Sequence, residues 1–216
     1  MARLAINEVT TFRWSFEEDV QQYSALGIPA IGVWRQKLSE FGEEKGVELL
    51  RDSGLEVSSL LWAGGFTGSD GRSFADSVAD AREAIRLAAA MRAGCLIVYS
   101  GGRGGHTHNH ARRLLTGALK SLAPIAAEFG VTMAIEPMHP GCAADWTFLT
   151  TVDETLRLLE EVDSPELKLV FDCYHLGHDE SVMKHLEELS PHVAMIQLGD
   201  ARRPPRGEQD RCPLGE

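Results

Sequence analysis

The sequence predicts an α/β fold, a (β/α)8 TIM barrel, on three observations. Short apolar runs alternate with longer amphipathic stretches, which is the pattern of parallel strands joined by crossover helices. No glycine-rich phosphate loop follows the first apolar run, where an open dinucleotide-binding sheet would carry one. Polar or aromatic residues stand at the ends of many of these runs. The carboxyl ends of barrel strands build an active site, whereas an open sheet concentrates such residues at one switch point.

Seven segments are predicted to be strands, because each is a short apolar run with a polar or glycine-containing end. They are RLAINEV (3–9), IPAIGVW (28–34), EVSSLLWAG (56–64), CLIVYSG (95–101), VTMAIEP (131–137), LKLVFDCY (167–174) and HVAMIQLGD (192–200). A complete barrel typically takes about 250 residues, and this chain has 216. We therefore expect residues 1–216 to form a single barrel domain that is truncated after its seventh strand.

The helical stretches between the strands carry start and stop signals. In the stretch 73–94, Ser73 is placed to cap the amino end, and Gly94 is placed to supply a left-handed residue at the carboxyl end. The next stretch contains Pro124, which predicts a kink or a break. The stretch after that begins with Thr151, which stands three residues before a glutamate in capping-box spacing.

Composition restricts the partners of the chain. The formal net charge is −11, and binding to nucleic acid is driven largely by Lys and Arg that neutralise phosphates. We therefore expect no nucleic-acid partner and repulsion from anionic membranes. The four cysteines are widely spaced without a CxxC pair, and no signal peptide or apolar run of bilayer length is present. The expected location is the reducing cytoplasm.

Three strand ends carry oxygen donors that are predicted to face the inside of the barrel. Strand side chains alternate in direction, so Glu136, Asp172 and Gln197 share the inward face with the residues two positions before them. Carboxylate and amide oxygens suit a divalent cation such as Mn²⁺, Mg²⁺ or Co²⁺ better than an ion that prefers thiolates. The alternative is that Glu136 and Asp172 only pair with arginines of the barrel.

Three further stretches have candidate ligand-binding residues. The run SGGRGGHTHNHARR holds three histidines at a spacing of two, and its glycines predict a flexible lid or substrate loop in which His106 contacts substrate; a dedicated zinc site is the alternative. Trp62 ends a strand in a glycine-rich turn and can form an apolar wall against the substrate, although packing is the usual fate of tryptophan. After the seventh strand a polar loop clusters Arg202, Arg203, Arg206 and Arg211.

The motifs AIEPMHP, FDCYH and QLGDARRP, in this order, resemble the xylose isomerase-like TIM barrels, the sugar phosphate isomerases/epimerases. The resemblance implies one divalent metal ion, Mn²⁺, Mg²⁺, Co²⁺ or Zn²⁺. It implies that Glu136 is a metal ligand and acid/base, that Asp172 is a ligand, and that His175 contacts a substrate oxygen. Arg203 matches a substrate-binding arginine. Many members are dimers or tetramers, so a homo-oligomer is compatible with the resemblance.

Two departures from the family pattern bear on the metal site. Gln197 stands where better-known members have a histidine, and its amide oxygen is a weaker ligand. The glutamate that the family carries after its eighth strand is not in this sequence.

The function implied is an isomerase or epimerase of a sugar or sugar phosphate, which removes a proton alpha to a carbonyl and forms an enediolate. The alternatives are a dehydratase of a cyclic polyol (an inosose-type reaction) and a sugar-binding barrel without catalysis. The DNA-repair endonuclease branch of the superfamily does not fit, because it needs more strand-end histidines and a basic face.

Overall fold

Seven parallel strands form the sheet of the computed structural model, which describes residues 4–215. The strands pair in chain order from first to last, so each strand neighbours the next one along the sequence. They are β1 (Ile6–Asn7), β2 (Ala30–Trp34), β3 (Glu56–Gly64), β4 (Leu96–Tyr99), β5 (Met133–Ile135), β6 (Leu167–Asp172) and β7 (Val193–Gln197). All seven predicted strands are confirmed, and with them the α/β TIM-barrel fold class; Arg3 of the first predicted strand lies outside the described residues.

Helices follow the strands and cover the outside of the sheet. They are α1 (Phe16–Ala25), α2 (Arg35–Phe41), α3 (Glu43–Ser53), α4 (Phe74–Ala90), α5 (His108–Phe129), α6 (Pro140–Ala143), α7 (Val152–Val162), α8 (Cys173–Leu176), α9 (Glu180–Lys184) and α10 (Leu186–Leu189). Short 3-10 helices occupy Ser190–His192 and Glu208–Asp210. Within residues 4–215, no helix combines the length and the apolar character that crossing a bilayer requires.

The two faces of the strands pack in different layers, as the alternation of side chains predicts. Ala134 of β5 and Val170 of β6 lie in a small inner cluster, and Met195 of β7 packs against it. Leu169 and Phe171, the outward neighbours of Val170, pack in a separate cluster with residues of the covering helices. Glu136 and Asp172 stand two positions beyond Ala134 and Val170, so both are expected to point toward the interior.

The capping predictions hold at the amino ends of two helices. The Ser73 hydroxyl accepts a hydrogen bond from the Asp76 amide at 3.1 Å, and Thr151 accepts one from the Glu154 amide at 3.2 Å. The Glu154 carboxylate does not return to the cap of α7; it bonds His108 at 2.5 Å. The capping box is therefore only half formed.

The prediction for Gly94 is wrong, because the left-handed residue after α4 is Arg92, with φ 54°. Gly94 has a different role. A Cβ there would lie 2.7 Å from the Ser58 carbonyl oxygen, and the Gly94 amide bonds the Val57 carbonyl at 3.0 Å. A side chain is excluded because the chain passes tightly against β3.

Pro124 does not break α5, which runs without interruption from His108 to Phe129. Proline removes one backbone hydrogen bond, a cost that packing can offset. Leu115, Leu119 and Leu122 on this helix are fully buried in the core. Of the two predicted alternatives, the break is wrong, because burial of this face outweighs the local preference of one residue; the kink stays a prediction.

A buried charge network fixes the end of β1 against α1 and α2. The Lys37 ammonium contacts the Asp19 carboxylate at 2.6 Å and donates to the carbonyls of Glu8 and Thr11. The Glu8 carboxylate accepts from the Trp34 amide at 2.6 Å. Burial, the largest cause, raises the pKa of Glu8 to about 8. The network positions Trp34 at the mouth of the barrel.

Candidate metal centre and active site

Glu136, Asp172 and His175 converge at the carboxyl ends of β5 and β6. The His175 Nε2 atom lies 3.8 Å from Glu136 Oε1 and 3.8 Å from Asp172 Oδ2. The three side chains are between 1% and 6% exposed, and one ligand atom of each lies within 4.8 Å of the others. The structure thus brings together two carboxylates and an imidazole from three points of the sequence.

Local structure explains the spacing of Asp172 and His175. Asp172 is the last residue of β6, and its Oδ1 accepts from the Tyr174 amide at 2.7 Å, which caps α8. The chain therefore turns into a helix at once, and the residue three positions later returns toward the same end of the strand. Glu136 is brought alongside because β5 pairs in parallel with β6.

Burial and like charge disfavour the ionised carboxyls. Burial first, and then the negative charge of Asp172, raise the pKa of Glu136 to about 8. Burial also raises the pKa of Asp172, against the opposing effects of His175 and Arg211. Burial lowers the pKa of His175. A cation among these groups would offset the cost of holding two buried carboxylates together.

A second observation that favours a divalent cation is that polar atoms of this cluster have no hydrogen-bond partner among the described residues. The hydrogen bonds among residues 4–215 include none from either ring nitrogen of His175, and its Nδ1 is buried without a partner. None of those hydrogen bonds reaches the Glu136 carboxylate either, although that residue is 5% exposed. Buried polar groups without partners are uncommon in folded proteins, and an unseen ion is one established reason for them.

Gln197 lies at the carboxyl end of β7, the strand that pairs with β6. It is the last residue of β7 and is the register partner of Asp172 on β6. Its side-chain Nε2 is buried and has no hydrogen-bond partner in the described part of the chain. The pairing places Gln197 next to Asp172 in the sheet, and its function as a ligand stays a prediction.

Arg211, rather than Arg203, is the arginine at this cluster. Its Nη2 atom lies 3.6 Å from Asp172 Oδ2, and its guanidinium stacks on the Tyr174 ring at 3.9 Å. Arg203 is 61% exposed and faces Asp210 at 3.6 Å. The sequence shows four arginines in this loop but cannot tell which one turns inward. Substrate contact by Arg203 stays a prediction that this placement does not favour.

Cys142 and Glu208 also approach His175, and the sequence analysis identified neither. Their ligand atoms and one of His175 lie within 4.8 Å of one another; Glu208 Oε1 is 3.9 Å from His175 Nε2. Cys142 lies in α6, which follows β5, and Glu208 lies in the loop that follows β7. The only sequence signal was that both follow strand ends with functional side chains.

Trp62 lies in an aromatic wall at the ends of β2, β3 and β4. Its ring centroid is 6.3 Å from that of Trp34 and 5.1 Å from that of Trp146, and Tyr99 extends the wall at 5.8 Å from Trp146. These four residues line a cavity of about 450 Å³. The carboxylate cluster is not part of its lining. Both open at the carboxyl ends of the strands, so a wall beside the reacting centre is compatible with the fold.

The three histidines of this stretch do not converge on one point, because His108 turns away from His106 and His110. His106 bonds the Thr67 carbonyl oxygen at 3.1 Å and packs on His110, whereas His108 bonds Glu154. None belongs to a cluster that could hold a metal ion among the described residues, which disfavours the zinc alternative. Contact of His106 with substrate stays a prediction.

Comparison with known proteins identifies relatives of this fold. The family model described as xylose isomerase-like TIM barrel matches residues 20–216. Protein SMc04130 of Sinorhizobium meliloti 1021 is 28% identical, with a TM-score of 0.89 over 98% of this chain and 79% of its own. The IOLI protein, solved with a zinc atom, is 18% identical, with a TM-score of 0.83 over 100% of this chain and 80% of its own.

A further similar structure is the 3-keto-D-glucoside 4-epimerase YcjR of E. coli. It is 14% identical, with a TM-score of 0.73 over 86% of this chain and 74% of its own. At these identities the zinc-containing protein and the epimerase show the fold alone. No curated protein matches the chain significantly.

Proposed function

Since the chain belongs to the xylose isomerase-like TIM barrel family, we propose that it is a divalent-metal-dependent isomerase or epimerase of a sugar or sugar phosphate. The reaction removes a proton alpha to a carbonyl and passes through an enediolate. The observation that carries the proposal is the convergence of Glu136 and Asp172, both buried, beside His175. The similarity to an epimerase and to a zinc-containing protein supports it.

Glu136 is the proposed acid/base. Without a bound ion, burial raises the pKa of Glu136 to about 8. A cation bound beside it would lower that pKa and keep the carboxylate ionised, which is the form that a general base requires. The carboxylate has no hydrogen bond to another described residue that would fix its lone pairs, so it is free to take a proton from a substrate carbon. His175 contacts a substrate oxygen from the adjacent side of the cluster.

Oxygen atoms of Glu136, Asp172 and Gln197 would hold the divalent ion. When bound, such an ion neutralises the negative charge that develops on the substrate oxygens, with an effect of several kcal/mol. Burial raises the pKa of Asp172, and the positive charge of Arg211 opposes that effect. The Arg211 guanidinium is held in place by Tyr174 and Glu208. The aromatic wall around Trp62 shields the apolar side of a bound sugar.

The test is Glu136→Gln, with Glu187→Gln on the exposed surface of α10 as the matched control. Both variants are incubated with Mn²⁺ and a panel of ketoses and ketose phosphates, and products are resolved by NMR and mass spectrometry. We expect Glu136→Gln to lose at least about 100-fold in turnover with unchanged circular dichroism, and the control to stay active. Unchanged turnover in Glu136→Gln would exclude Glu136 from the mechanism.

The same assay separates the alternatives. A cyclic-polyol dehydratase releases a product lighter by one water, whereas isomerisation and epimerisation conserve mass. A sugar-binding barrel without catalysis would bind the panel and convert none of it.

A further inference from the structure

We propose that Cys142, His175 and Glu208 form a second cation site, which adjoins the oxygen ligands proposed above through the shared His175, and that it takes a thiophilic divalent ion such as Zn²⁺. The thiol, the imidazole and the carboxylate each offer one ligand atom, and the three atoms lie within 4.8 Å of one another. The site rests on these contacts and does not require the proposed reaction.

Gly141 is the reason that Cys142 reaches this position. A Cβ at Gly141 would lie 2.6 Å from the Pro205 carbonyl oxygen and 2.9 Å from the Arg206 Cα. Any side chain there would force α6 away from the loop that follows β7. The missing side chain lets the two segments touch, and so brings Cys142 beside the residues just after Arg206.

Tyr174 and Arg211 hold Glu208 over the helix that carries His175. The Tyr174 hydroxyl donates to the Gly207 carbonyl at 2.5 Å. Arg211 stacks on the same ring and donates twice to Glu208 Oε2, at 3.1 and 2.9 Å. Oε2 is thereby occupied, and the other oxygen, Oε1, is the one that faces His175. These contacts orient the carboxylate so that Oε1 faces His175.

The geometry fits a metal ion better than a hydrogen bond. The 3.9 Å between Glu208 Oε1 and His175 Nε2 is too long for a hydrogen bond. Ligand atoms around a tetrahedral zinc ion lie roughly 3.5 Å apart, given zinc–ligand distances near 2.0 to 2.3 Å. The His175 side chain is 1% exposed, its Nδ1 has no partner among residues 4–215, and its Nε2 is the nitrogen that faces Glu208. Glu208 is 42% exposed and can move the short distance required.

The donor set also selects the ion. One thiolate, one imidazole and one carboxylate suit Zn²⁺ or Co²⁺, whereas Mg²⁺ and Mn²⁺ prefer oxygen ligands alone. Burial and the Glu208 charge raise the pKa of Cys142 to about 11, so ion binding must displace the thiol proton and strengthens as pH rises. An ion at this site engages His175 and removes it from the substrate contact proposed above.

The experiment is an optical titration of the full chain with Co²⁺, followed by competition between the protein and a chromogenic chelator for Zn²⁺. Thiolate–Co²⁺ coordination gives a charge-transfer band that oxygen and nitrogen ligands do not give. Cys142→Ser is compared with Cys173→Ser, a half-buried cysteine outside the cluster. We expect the band in the wild type and in Cys173→Ser, and its loss in Cys142→Ser together with at least a ~10-fold weaker Zn²⁺ affinity.

Glu208→Gln and Asp210→Asn provide a second comparison that alters no cysteine. Both remove one negative charge from the same short 3-10 helix, but only Glu208 faces His175. We expect Glu208→Gln to weaken Zn²⁺ binding by about 10-fold or more and Asp210→Asn to bind as the wild type does. A wild type without the band, a band that survives in Cys142→Ser, or equal affinities of the two acid variants would each overturn the site. None of these outcomes would bear on the proposed turnover with Mn²⁺, which the Glu136→Gln assay tests separately.

Discussion

In the absence of metal, Glu136→Gln is expected to change how stability depends on pH, because the site holds a carboxyl that resists ionisation. Burial and Asp172 raise the pKa of Glu136 from 4.5 to about 8. Between these two values the unfolded chain has released the proton and the folded chain has kept it. The folded state therefore binds more protons, and stability falls as pH rises.

The magnitude follows from the size of the pKa change. Each pH unit inside the window lowers the free energy of unfolding by up to about 1.4 kcal/mol. The group is fully buried, so solvent does not screen the effect. Between pH 5 and pH 7 the contribution of Glu136 comes to about 2.5 kcal/mol, allowing for the partly protonated unfolded chain at pH 5. Well below pH 4.5 the contribution of Glu136 to the free energy of unfolding is constant, and well above pH 8 it no longer falls.

Urea unfolding with a chelator at pH 5, 6 and 7 measures this contribution. The wild type should lose about 2.5 kcal/mol more over this range than Glu136→Gln does. Glu8, whose pKa is also raised, is present in both proteins, so its contribution cancels in the difference. Glu187→Gln should follow the wild type. Parallel pH profiles for the wild type and Glu136→Gln would refute the account of a strained, metal-free carboxylate pair.

Three other changes test the framework around the site. Lys37→Met leaves Asp19 buried without its cation and should lower the free energy of unfolding by about 3–5 kcal/mol, measured in urea. Adding Asp19→Leu should restore stability. An unchanged free energy of unfolding in the single variant would contradict the pairing. Gly141→Ala places a Cβ 2.6 Å from the Pro205 carbonyl oxygen. It should lower the free energy of unfolding by about 1–3 kcal/mol and weaken Zn²⁺ binding. Gly117→Ala, at a site with open space, should have neither effect. Thr151→Ala removes the cap of α7 and should lower stability by about 1 kcal/mol, while Thr151→Ser should keep it.

The parts of the fold that depend on local pattern were predictable. Each apolar run that was predicted to be a strand contains one. In β5 and β6 nearly every residue is buried, and burial on both faces leaves a signal in every residue of such a run. The alternation of side chains along a strand also predicted the inward face for Glu136 and Asp172. The residues two positions before them, Ala134 and Val170, lie in the inner cluster. The errors were local preferences that tertiary contacts override: Pro124 inside α5, and Gly94, where β3 rather than the turn excludes a side chain.

Around His175, too, the residues placed by local pattern were predictable and those placed by tertiary contacts were not. Asp172 and His175 were found because one turn of helix separates them, and the cap that starts this helix is Asp172 itself. Cys142, Glu208 and Arg211 reach the site only because Gly141 admits the loop after β7 and Tyr174 receives it. Those contacts join segments more than 30 residues apart in the printed sequence, and a pattern confined to one segment does not encode them. Substrate contact by Arg203 stays a prediction: motif position places that arginine in the loop after β7, while stacking on Tyr174 places Arg211 beside Asp172.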